Sequence, residues 1–403
     1  MPRGKGKTGM PKRRPVERQR HLYLVLDEWS GGYSVRKIDL LSDYRRPQLI
    51  PVDAPPEGPI FVGFGRLPSA SLRFEARRGE PKCFAGAFGS KILTLHPMDS
   101  GGLAPGAPIY DVVMRCLSYG PGTWPDRVNP TYIPVGDRLF SLAAGSFELL
   151  NPPPPYGDPN REKSVSVWTW SKLPTPTFHC EHVISYAMHP DGRTIFVSVG
   201  GDAVPATFSL DTQLPFTGRA YFVPELDAWV GLSGDPANIG RLCSCDVAST
   251  NSNGASQQQC PTMKLSKEKL FSKVPGEKHI GATLVYMGVE SKFCLLECIT
   301  NQADLADELP GSDETNGEPS DEADELAYCD DLNEDSDGEV NEDYEVNEEQ
   351  DRYRFLRLTT FSLMYDKNGD LTTGSDYSCW LGYCSMPQEV TQSMLEHPVA
   401  FWM

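Results

Sequence analysis

Apolar runs long enough to cross a bilayer are missing from this 403-residue chain. A spanning helix needs ~20 such residues in succession, so the sequence excludes a helical membrane protein. The opening residues are charged and reach no apolar segment, which excludes a secretory signal. Asn129 has Pro130 behind it and Thr131 next, so this triplet is no glycosylation acceptor. The 11 cysteines never form CxxC and follow no regular framework of spacings. That argues against a zinc ribbon or a disulfide scaffold and predicts reduced thiols. These absences together predict a cytoplasmic and/or nuclear protein.

Positive charge is missing from positions 304–351, where 22 Asp and Glu stand without a single Lys or Arg. The formal net charge of −18 resides there, and without the segment the chain would be +4. Residues 1–20 reverse the imbalance, with eight Lys and Arg against Glu17. The body between these extremes is near neutral, so no global field argues for nucleic acid; a monomer is the expectation for the chain. Neither biased segment carries enough apolar surface to fold. The expectation is a disordered basic tail at 1–20 and a disordered acidic loop at 302–350, interrupting a single domain over 21–403.

What the body does have is turns and short apolar strands, in keeping with 35 Pro and 36 Gly. In HPDGRTIFVSVGG, from His189 to Gly201, Asp191 and Gly192 supply turn chemistry, and TIFVSV reads as a strand with apolar groups on both faces. Such a strand suits a sheet covered on both sides. The unit recurs at Gly89–Leu95, Gly136–Leu142, Leu226–Leu232 and Glu290–Leu296, and without its turn at His21–Leu26. A second element ending in Asp follows several copies: Val35–Asp39, Pro108–Asp111, Phe208–Asp211 and Cys243–Asp246. Intervals of 35 to 64 residues between the turn anchors bracket a kelch period of ~50. An all-β, kelch-like β-propeller of about six degenerate blades follows, since closing a ring removes exposed sheet edges; an irregular pair of β-sandwiches is the alternative.

In order along the chain, HLYLVLDEWSGGYSV, FGSKILTL, YAMHPDGRTIFVSV, ELDAWVGL and IGATLVYMG carry a resemblance. They resemble a plant family enlarged in grasses and known only as domain of unknown function 1668, whose members look like degenerate kelch or galactose-oxidase-type propellers. The resemblance runs from about His21 to the C-terminus. It implies the fold, and it supplies no activity, cofactor or catalytic residue.

The residues themselves nominate little chemistry. Gly63-Phe64-Gly65-Arg66-Leu67-Pro68 lacks the third glycine and following helix of a dinucleotide loop, and Gly231-Leu232-Ser233-Gly234 is one residue short of a nucleophile elbow. Asn333, Asp335, Asp337, Gly338 and Val340 have calcium-loop spacing, but Tyr344 stands where a bidentate Glu is required. Asp366, Asn368 and Asp370 look calcium-like too, yet Asn368-Gly369 between two apolar runs signals a tight hairpin. His179, Cys180, Glu181 and His182 lack paired zinc spacing. No catalytic, cofactor or metal residue is therefore assigned. Trp168 and Trp170 read as strand residues for blade packing, as does Trp229. Trp29, beside the Ser30-Gly31-Gly32 turn, is a candidate interface anchor. Ser336, Ser312 and Ser320 are candidate acidophilic phosphorylation sites, against an inert solubilising insert. Lys12, Arg13 and Arg14 are a candidate nuclear-import tail, against a plain solvated terminus.

The reading is a non-enzymatic protein-protein interaction module with an unidentified protein partner, no membrane and no nucleic acid. Twenty residues before the ring leave no room for an F-box-like segment. The alternative is a propeller enzyme or sugar-binding protein using the central pocket, marked by His, Tyr, Arg and acids converging at one mouth of the channel. A weaker third reading gives the tail and acidic loop a nuclear role with basic chromatin proteins.

Overall fold

A computed structural model of the protein describes residues 19–29, 32–40, 60–76, 83–95, 106–122, 130–154, 168–200, 214–247, 262–302, 352–373 and 380–403. Their strands, numbered in chain order, form an all-β propeller arrangement. The first blade has the order β25(Val399–Trp402), β1(Leu22–Trp29), β2(Gly32–Ile38), β4(Ala70–Glu75). The second is β5(Cys83–Ala87), β6(Lys91–Leu95), β7(Ala107–Asp111), β8(Cys116–Gly120), and the third is β9(Thr131–Val135), β10(Arg138–Ala143), β11(Ser146–Leu150), β12(Ser171–Leu173). A six-stranded sheet follows in the order β14(Ile195–Val199), β13(Val183–Met188), β15(Phe216–Val223), β16(Ala228–Ser233), β17(Leu242–Asp246), β18(Met263–Leu265). The last blade runs β19(Glu277–Tyr286), β20(Lys292–Gln302), β21(Arg352–Ser362), β24(Trp380–Ser385), β3(Ile60–Arg66), with a separate hairpin β22(Met364–Tyr365), β23(Leu371–Thr372) beside it. The one α-helix among the described residues, α1(Gln392–Glu396), has five residues, and no described helix is long and apolar enough to cross a membrane.

The described residues form five blades where about six are expected. The units at Gly192–Val197 and Leu226–Leu232 do form hairpins, but β13 and β15 pair in parallel through Ser185↔Gly218, Tyr186↔Arg219 and Ala187↔Ala220. Innermost strands of neighbouring blades run in the same direction, so a close approach lets them share a parallel ladder. Gly218, at φ +67° beside a register shift in β15, supplies the bend. Two antiparallel units thereby become one sheet.

The recurring strands stand where the sequence places them: β6, β10, β14, β16, β20 and β1. Of the elements ending in Asp, β2 and β7 are each third in their sheet and β17 is fifth in the six-stranded one, third when counted from β15, while Phe208–Asp211 lies outside the described residues. Trp168 and Trp170 are corrected: both precede β12 rather than lying in a strand. The Trp168 indole N–H donates to the Asn151 carbonyl at 2.7 Å, and Trp170 is buried in the cluster joining the second and third blades. Trp229 fills the six-stranded sheet, 4.9 Å from the Phe196 ring, with its N–H on the Met188 carbonyl.

Apolar clusters run blade to blade around the circle. The largest joins the first blade to Ile92 and Tyr110 of the second and to Leu296 and Leu358 of the last. Others join second to third, third to the β13–β14 hairpin, and the six-stranded sheet to the last blade. Two pairings close the ring. β25 adds to β1, and β3, from early in the chain, adds in parallel to β24.

Candidate functional site

A channel of roughly 350 Å³ opens where the innermost strands meet. Each of β5, β9, β13, β15, β19 and β25 contributes to its wall. The polar groups are Tyr132, Tyr186, Thr217, Arg219, Tyr221, Thr283 and His397, and the lining contains no Asp or Glu. Tyr, Arg and His thus converge as an enzyme or sugar site would require, but without the acids. Tyr221 is held by its own bonds, donating its phenol O–H to the Leu284 carbonyl at 3.0 Å under the Arg219 guanidinium. Burial pushes the Tyr186 phenol above its ordinary pKa, so it is a neutral donor at physiological pH.

A wider groove, roughly 810 Å³, lies between the third blade and the β13–β14 hairpin. Phe140, Leu142, Phe147, Phe178, Ile195 and Val197 make its apolar walls, and Asp137, Arg138, Asp191 and Arg193 edge it. Phe140 and Phe147 stack with ring centroids 5.8 Å apart. The HPDGR turn is therefore both a repeat hairpin and one lip of this groove. Its shape is set locally: Gly192 takes φ +64°, and Asp191 Oδ1 accepts from the N–H groups of Arg193 and Thr194 at 2.8 and 2.9 Å. The Arg193 N–H leads the interactions that hold the Asp191 carboxyl well below the usual range.

Most buried charges elsewhere hold strands together. Burial would raise the Glu28 carboxyl, but the hydrogen bonds and charge of Arg36 and the charge of Arg73 outweigh it and leave the pKa lowered. Arg36 binds both oxygens of Glu28, at 2.8 and 3.0 Å, and Arg73 adds a contact at 2.8 Å. Asp111, at the end of β7, pairs with Lys91 at 2.5 Å and accepts from the N–H groups of Val113 and Met114. Asp111 thus caps the turn that follows β7. Asp366 and Asp370 are also structural: Asp366 Oδ1 accepts from the N–H groups of Asn368 and Asp370 in the β22–β23 hairpin, and Lys267 pairs with both acids at 2.5 and 3.1 Å.

Most residues nominated from sequence lie outside the described residues. Trp29 ends β1 opposite Gly32, with its side chain outside the described residues. Ser312, Ser320, Ser336, Lys12, Arg13, Arg14 and the Asn333–Tyr344 stretch lie outside the described residues too. His179 precedes and His182 ends a short 3-10 turn, with ring centroids 6.0 Å apart, and the described residues contain no group of three or more metal-ligating side chains placed to hold an ion. Sequence reasoning missed the groove and Arg219. The groove's one local signal was the pair of turns at Gly136 and Gly192, since its walls come from segments far apart in sequence. Arg219 had none.

Cysteines follow the strand pattern. Cys243, Cys245, Cys294 and Cys298 are buried, and burial pushes their thiols up to about 11, 12, 12 and 12. Cys116 is exposed. Thiolate is the reactive form. Iodoacetamide at pH 7.5 followed by peptide mapping should therefore label Cys116 within minutes and these four only at the rate of unfolding. Labelling of Cys294 as fast as Cys116 would mean that the core of the last blade opens readily.

A family model described as a protein of unknown function, DUF1668, matches residues 19–381. It ends inside β24, before α1 and the closing strand β25. No curated protein matches the chain.

Proposed function

On the premise that the chain belongs to the DUF1668 family of proteins of unknown function, we propose that it is a kelch-like, monomeric, intracellular interaction module of a plant protein family. It works without catalysis, and the groove beside the HPDGR turn receives an apolar segment of a partner protein. The observation that carries this reading is the groove: an apolar trough of roughly 810 Å³ with charges of both signs at its edge. Interfaces have this anatomy, with an apolar centre and a polar rim. The rigid ring supports the reading as well, because a scaffold that holds its rim still lowers the ordering cost of association.

Phe147→Glu tests it. The substitution puts a charge on the groove wall beside Phe140. The full chain, immobilised, is exposed to cell extract in three forms: wild type, Phe147→Glu and the channel variant Arg219→Gln. A partner that binds wild type and Arg219→Gln but is lost with Phe147→Glu, at unchanged Tm, is the expected result. Capture indifferent to Phe147→Glu, or no specific capture by the wild type, removes the groove from the proposal and the scaffold reading with it.

A further inference from the structure

A half-buried cation stands in the central channel with no acid in the lining to balance it. Among the described residues Arg219 forms no ion pair; its guanidinium carbon lies 4.6 Å from the centroid of the Tyr221 ring, which satisfies its charge only in part. Other arginines of the ring are engaged: Arg36 and Arg357 on carboxylates, Arg241 and Arg354 on main-chain carbonyls. A guanidinium taken partly out of water without a counter-charge costs stability unless something binds it. The parallel ladder that fuses two units into one sheet makes Tyr186 and Arg219 register partners. Adjacent residues at the same level of a sheet face the same side, and both line the channel. A neutral phenol donor and a cation therefore stand side by side.

We propose that the channel binds a small organic monocarboxylate, its oxyanion held by the Arg219 guanidinium and the Tyr186 O–H, its apolar body against Phe84, Leu232 and Phe401. One cation, with no Lys and no second Arg in the lining, matches a single negative charge better than the two of a phosphate ester. The guanidinium fork fits a planar carboxylate with two parallel N–H bonds. The volume sits at the lower end of small-molecule pockets, which begin at about 300 Å³, so the ligand is of the size of a benzoate or phenylpropanoate rather than a peptide.

Calorimetric titration of the full chain with benzoate, 3-phenylpropanoate, benzamide and inorganic phosphate tests the site. Saturable binding of at least one carboxylate is expected, with no binding of neutral benzamide and weaker binding of phosphate. Arg219→Gln should weaken carboxylate binding at least tenfold while the Tm without ligand is unchanged or higher, because the substitution removes an unbalanced charge. Arg219→Lys, which keeps the charge but not the fork, and Tyr186→Phe should each weaken it several-fold. Carboxylate affinity equal in wild type and Arg219→Gln, benzamide binding as well as benzoate, phosphate binding more tightly than either carboxylate, or no saturable binding of either would overturn the proposal. The test is independent of the groove, which Phe147→Glu probes and these substitutions leave intact.

Discussion

Removing residues 398–403 should lower the Tm by roughly 10 °C and make the protein prone to aggregate on warming. The segment contains β25, whose residues pair with β1 through Leu22↔Trp402, Tyr23↔Phe401, Leu24↔Ala400 and Val25↔Val399. The His21 N–H donates to the Met403 carbonyl at 2.7 Å, and the Met403 N–H returns the bond at 3.0 Å. Val399, Phe401, Trp402 and Met403 also pack against the largest apolar cluster. Partial burial of two aromatic side chains and loss of the ladder together are worth on the order of 5 kcal/mol. The damage is not only local. β1 would become an open edge of fully buried strand residues, the kind of edge that pairs with other chains. Thermal melts with light scattering provide the measurement, with Phe401→Ala as a milder probe that leaves the ladder in place. A truncated chain that melts with the full-length protein would mean that the ring is held by its blade interfaces alone.

This closure was invisible in the sequence for a physical reason. The strand units were legible because each is local: a turn with Gly or Asp, then five or six residues whose apolar groups alternate or run continuously. β6, β10, β14 and β16 all follow that rule, and Asp111 reveals the end of β7 because its carboxylate caps the turn that follows. Pairings between distant segments have no such signal. Nothing in VAFW indicates that its partner is LYLV near the other end of the chain, and nothing in IFVGFGR indicates β24. The blade count went astray for the same reason, since the β13–β15 ladder depends on how closely two inner strands approach. Arg219 was overlooked because a lone Arg in FTGRAYFV has no local pattern. Its meaning comes from the absence of Asp and Glu among the residues that line the channel, which come from strands far apart in sequence.

The buried charge network of the last blade supplies the second large effect. Glu297 and Arg357 are register partners on β20 and β21, 2.7 Å apart, with 1% and 13% of their side chains exposed. Glu297 also accepts from the Ser272 N–H at 3.1 Å and meets His279 Nδ1 at 3.1 Å, while Arg357 donates to the Leu270 carbonyl at 2.7 Å. The pair thus ties two strands to the 270–279 segment that leads into β19, an inner wall of the channel. Glu297→Ala should destabilise the protein by about 3–5 kcal/mol, because it strands the Arg357 guanidinium without its counter-charge. Arg357→Leu should cost a similar amount by leaving the carboxylate. Combining Glu297→Met with Arg357→Leu should recover much of the loss, since removing both charges also removes the cost of desolvating them, leaving mainly the unpaired Leu270 carbonyl and Ser272 N–H. Denaturant or thermal unfolding of the two single variants and the double variant measures this directly. A double variant whose loss equals the sum of the singles would show that the two charges do not act as a unit, and would assign the stability of this blade to its apolar faces.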